Sequence, residues 1–111
     1  MENSTQQNDL TPTEYAEIAS ILTDQTGVRI TAVHAAEILT FYPHAKRSFA
    51  KYGGDDTGVC DQLADSIARY FLGCDWPIYG DNADMDDFIK RLKNAANVMG
   101  YTCVDESNSM N

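Results

Sequence analysis

An all-α fold, a compact bundle of four to five short helices, is what this sequence predicts. Three observations carry the prediction. Apolar residues recur at i, i+3, i+4 and i+7 in successive segments, the spacing of one helical face. Each segment opens on a residue suited to capping or to a first helical turn, and most close on glycine. The links between them are only a few residues long, which suits antiparallel neighbours in a bundle. The chain has 111 residues, 43% hydrophobic and 23% charged, a globular composition for one domain.

The expected organisation is a mobile N-terminal segment over 1–10, one helical domain over 11–104 and a polar tail over 105–111. In the first helix, Thr11 is the N-cap, Pro12 takes the first helical position and Glu14 completes a capping box. Leu10 and Tyr15 stand where a hydrophobic staple would clamp the entry. Tyr15, Ile18, Ala19 and Leu22 form the buried face, and Gly27 ends the helix. Thr31 caps a second helix with Ala35, Ile38, Leu39 and Tyr42 on its face. Pro43 pushes Tyr42 out of the α region, so it either kinks one helix or separates two. The segment from Pro43 buries Ala45, Phe49 and Tyr52, then stops at Gly53-Gly54.

Thr57 is the expected cap of the next helix, whose wide stripe of Cys60, Leu63, Ala64, Ile67, Tyr70 and Phe71 marks it as the central one. The last helix, about 83 to 99, has the cleanest periodicity: Met85, Phe88, Ile89, Leu92, Ala95, Ala96 and Met99. Residues 28–30 and 101–104 alternate briefly, leaving room for a minor two-strand ribbon.

Charge is the informative part of the composition. The net charge is −9. Such a surface repels nucleic acid and anionic membrane and favours basic protein partners. Nearly all of it falls between Asp55 and Asp87, where nine aspartates face a single basic residue, Arg69. A small basic cluster, Lys46, Arg47 and Lys51, immediately precedes it. Part of the acid is explained by helix building. Asp84, Asp86 and Asp87 sit in an expected first turn, where each complements the helix dipole by about 0.3–1 kcal/mol. Asp86 and Asp87 also stand four residues before Lys90 and Arg91. Asp55, Asp56, Asp61, Asp65 and Asp75 have no such account, and Asp61 and Asp65 repel at i, i+4.

The expected partner-binding residues are therefore Asp55, Asp56, Asp61, Asp65, Asp75, Asp81, Asp84, Asp86 and Asp87, with Trp76 and Tyr79 as aromatic anchors. The competing reading of Trp76 is that it closes the bottom of the core. The function expected is that of a non-enzymatic protein-binding module. Its sharper form is an inhibitor whose carboxylates mimic nucleic-acid charge and occupy a basic nucleic-acid-binding partner. In size and charge alone it is like small acidic inhibitors of phages and mobile elements. Two alternatives stand beside it: a divalent-metal-dependent enzyme using clustered aspartates, and an oligomeric structural or regulatory helical protein.

Other chemistries lack their residues. A calcium loop needs oxygen ligands at positions one, three and five. Counted from Asp81 these fall on Ala83 and Met85; from Asp84, position five is Phe88; from Asp75, position three is Pro77. No catalytic residue, metal ligand set or cofactor is expected. His34 and His44 have no neighbour at ligand spacing, and no local signature joins them to Cys60 or Cys74 as a nucleophile. The glycines of "YGGDD" precede aspartates, which repel phosphate. The helix "AVHAAEILTFY" has no Lys or Arg and no Asn or Gln to read base edges. The segment "MENSTQQNDL" lacks the charge and apolar core of a secretory signal, and no run of residues is long and apolar enough for a membrane span. Three cysteines outside any C-x-x-C are expected to stay reduced, which agrees with a cytoplasmic protein.

Overall fold

The computed structural model describes residues 10–77 and 82–104, with the backbone alone over 82–84. Five helices follow one another: α1 (Pro12–Thr26), α2 (Ala32–Thr40), α3 (Pro43–Tyr52), α4 (Thr57–Leu72) and α5 (Asn82–Val98). The helical bundle expected is the fold observed, with no strand among the described residues. The expected mobile segment before Leu10 and the tail from 105 onward lie outside them.

Each boundary has a local cause. At α1 the Thr11 hydroxyl accepts from the Glu14 N–H at 3.1 Å and the Glu14 carboxylate accepts from the Thr11 N–H at 2.8 Å. Two otherwise orphaned donors are thus satisfied, an arrangement worth about 1 kcal/mol. Gly27 ends α1 in the left-handed region, φ +79°, where a side chain would be strained. Thr31 caps α2 by accepting from the His34 N–H at 3.1 Å. Pro43 separates two helices: α2 stops at Thr40 and α3 starts at Pro43. The cap of α4 is Asp56 rather than Thr57. Its carboxylate accepts from the Val59 N–H at 3.0 Å, and Thr57 becomes the first helical residue.

Helix α4 packs against all four others, so it is the centre of the bundle. Ile18, Leu22, Ile38, Leu39, Leu63, Ile67 and Leu92 are fully buried around it, each contributing about 1.5–3 kcal/mol of hydrophobic transfer. Two expected core residues are outside. Tyr52 is 58% exposed, because α3 ends with it and the chain turns away at Gly53; the Lys51 ammonium sits 5.3 Å from its ring centre instead. Met99 is 48% exposed, one residue past the end of α5.

The expected ribbon is reduced to one antiparallel bridge, Val28 with Cys103. Arg29 N–H donates to Thr102 O and Val104 N–H to Gly27 O, both at 2.8 Å. The pairing goes no further because α1 claims the neighbouring donors. Val28 N–H donates to the Thr26 hydroxyl and Ile30 N–H to the Thr23 hydroxyl, each at 3.0 Å.

Candidate functional site

The acidic stretch wraps around α4. Its helical stripe of Gly58, Asp61, Gln62, Asp65 and Arg69 faces away from the core, and Asp55 and Asp56 stand at its entry. Gly73 ends α4 at φ +74° and sends the chain back past that stripe. Asp65 holds the returning loop. One carboxylate oxygen accepts from the Trp76 N–H at 2.9 Å, and the other lies 3.4 Å from Arg69 Nε. Arg69 also pairs with Asp75. The two carboxylates, Asp75 first, raise the Arg69 guanidinium further above its ordinary range.

This clamp sets Trp76. Its ring packs edge-on to Phe88 of α5, centroids 5.4 Å apart and planes at 79°, so it partly closes the core while remaining half-exposed. Trp76 therefore joins α4 to α5 and also forms a wall of an open cleft of about 310 Å³. Asp61, Gln62, Asp65, Asp75 and Pro77 complete that cleft.

The expected contact residues fall into distinct groups. Asp55, Asp61 and Asp86 are exposed and have no hydrogen bond or ion pair among the described residues. Asp56 is spent on the α4 cap, Asp65 and Asp75 on Arg69 and the loop. Asp87 pairs with Arg91 at 3.4 Å, as its i, i+4 spacing allows, whereas Asp86, at the same spacing, makes no such pair with Lys90. Tyr79 and Asp81 lie outside the described residues, as does the side chain of Asp84. Among the described residues, no three of His, Cys, Asp and Glu gather into a metal-holding group.

Sequence reasoning missed two features. The first is the clamp, whose signal was the Asp65–Arg69 spacing. The second is a cleft of about 320 Å³ on the other side of Gln62 and Asp65, where Phe41, Tyr42, His44 and Arg47 from the α2–α3 corner face Ser66 and Arg69 of α4. No periodicity rule announces a groove between two helices.

The acids also shape the cysteine beside them. Partial burial, then the charges of Asp61, Asp56 and Asp55, raise the Cys60 thiol above its ordinary range. Its Sγ donates to Gly54 O at 3.3 Å. This is the reverse of an activated nucleophile, which needs a stabilised thiolate. Cys74 is exposed and Cys103 half-buried; all three cysteines are free.

Residues 2–105 match the model of the family described as Domain of unknown function (DUF8308), and the chain belongs to that family. No curated protein and no solved structure matches it. No helix among the described residues is long and apolar enough to cross a membrane.

Proposed function

We propose that this chain is a non-enzymatic cytoplasmic binding module that presents its aspartate face to a basic protein. In the sharper form of this reading, the partner ordinarily binds nucleic acid and the carboxylates take the place of phosphates. The observation that carries the reading is the group Asp55, Asp61 and Asp86, exposed and unpaired while the remaining described aspartates of the stretch are engaged within the fold. Unopposed like charges cost the free molecule some stability. A basic partner relieves that repulsion and gains steered association. Half-exposed Trp76, beside Asp61 and Asp75 in the same cleft, supplies an aromatic contact of the kind that anchors interfaces.

The test is capture by the tagged chain in parallel at roughly 0.05 M and 0.5 M salt, where the screening length falls about threefold. Nucleic-acid-binding proteins are expected to be retained at the lower salt, released at the higher, and displaced by added duplex DNA or RNA. A partner that survives high salt and ignores nucleic acid would replace charge mimicry with an apolar interface around Trp76.

A further inference from the structure

We infer that the groove between α3 and α4 is a self-association face, and that its occupant is a second copy of this chain. The inference draws on Asp55 and Asp61, which the proposed partner also uses, so a second copy and that partner would compete for one face. The exposed stripe of α3 holds Arg47 and Lys51, and α3 contains no acid. The exposed stripe of α4 holds Asp61, with Asp55 at its entry and with Arg69, already tied to Asp65 and Asp75, farther along. Residues 53–56 reverse the chain between the two helices, so they lie side by side, and Arg47 lines the same groove as Gln62 and Asp65. Arg47 thus lines the groove from the α3 side, while Asp61 lies beyond its lining on the outer face of α4; among the described residues neither Arg47 nor Lys51 pairs with a carboxylate, and Asp55 and Asp61 pair with no cation.

Two adjacent stripes of opposite sign are self-complementary under one symmetry operation. A two-fold axis running along the groove lays α3 of each copy over α4 of the other. It preserves height along the groove, so Arg47 meets the Asp61–Asp65 level and Lys51 meets the Asp55 level. Such an interface is isologous and closes at two copies. Exposed aromatics stand near both ends of α3: Phe41, 63% exposed, in the groove wall and Tyr52 at the last helical residue. Aromatic and arginine side chains are the types enriched in interfaces. At about 0.15 M salt the screening length is about 8 Å, which mutes the repulsion between the net charges while leaving contact pairs largely intact.

The test is a charge exchange read as molar mass by sedimentation velocity over a concentration series of the full chain. The wild-type chain is expected to pass from monomer to dimer. Arg47→Glu/Lys51→Glu makes both stripes acidic, and Asp55→Lys/Asp61→Lys makes both basic. Each variant alone should self-associate at least about tenfold more weakly. Mixed in equal amounts, the two should form a heterodimer, since every stripe then meets its opposite. A melting temperature near wild type certifies each variant as folded. If either fails that check, the milder Arg47→Gln/Asp61→Asn chain must still weaken the dimer. A wild-type monomer at every concentration, an open-ended assembly, a mixture that stays monomeric, or a dimer indifferent to Arg47→Glu/Lys51→Glu each overturns the inference. That last variant keeps the aspartate face intact, so its capture of a basic partner reports separately on the proposed function.

Discussion

Replacing Asp65 by alanine should loosen the loop that carries Trp76. The Asp65 carboxylate accepts one backbone N–H, from Trp76 at 2.9 Å, and approaches Arg69 at 3.4 Å. A hydrogen bond to a charged group is worth about 1.5–3 kcal/mol when well shielded. Here the Asp65 side chain is 40% exposed, so the lower end applies. The Arg69 pair, also exposed, adds about 0.2–1 kcal/mol. The expected loss is about 2–2.5 kcal/mol, which for a domain of this size lowers Tm by roughly 8–11 °C. Arg69→Ala is the control: it removes the ion pairs and leaves the Trp76 bond, so it should cost less than about 1 kcal/mol. Thermal melts read the stability. Emission of the single tryptophan reads the loop, and should shift to the red in Asp65→Ala as the contact with Phe88 opens. Equal losses in the two variants with unmoved emission would refute the claim that the Trp76 N–H bond is the main strut.

Two further outcomes follow from the ionisable groups. Burial, with Tyr70 beside it and the charge of Glu37 beyond, raises the Tyr101 hydroxyl above its ordinary value of 10.0 in the folded chain. The folded state therefore holds that proton after the unfolded state has released it. The stabilisation is complete below about pH 10 and is lost as pH rises toward the folded value. In Tm measured from pH 8 upward, Tyr101→Phe should fall less steeply above about pH 10 than wild type; parallel curves would contradict this. For the cysteines, exposed Cys74 should be alkylated first and Cys60 last, as mapped by mass spectrometry over time. Asp61→Asn should speed Cys60 by removing the charge that opposes its thiolate most. A Cys60 as fast as Cys74 would contradict the burial and charge described.

Much of the bundle was legible because its signals are local. Thr11, Pro12 and Glu14 announce one helix start, and Gly27 and Gly73 announce two ends by their left-handed backbone. The periodicity of Ile18, Leu22, Leu63, Ile67 and Leu92 gave the core because a half-buried helix has to repeat that way. Errors fell at element ends. Both Asp56 and Thr57 are good caps, and only the observed bond to Val59 decides between them. Tyr52 fits the pattern of Ala45 and Phe49 but is the last residue of its helix. At the candidate site, composition exposed the surplus of aspartate. It did not distinguish Asp65 and Asp75, tied to Arg69, from Asp61, which has no described partner. That distinction depends on where the loop after Gly73 returns, a long-range fact that no local spacing encodes.

The most direct test of the central claim is the affinity of one captured basic partner for the wild-type chain and for Asp55→Asn/Asp61→Asn/Asp86→Asn, measured against salt concentration. None of the three residues has a hydrogen bond or ion pair among those described, so the fold should be unaffected. The account predicts that wild-type affinity falls steeply with salt and that the triple variant binds at least about tenfold more weakly at low salt, with a shallower dependence. Equal affinities and equal salt dependence would contradict it, and would return the aspartates of this stretch to helix building alone.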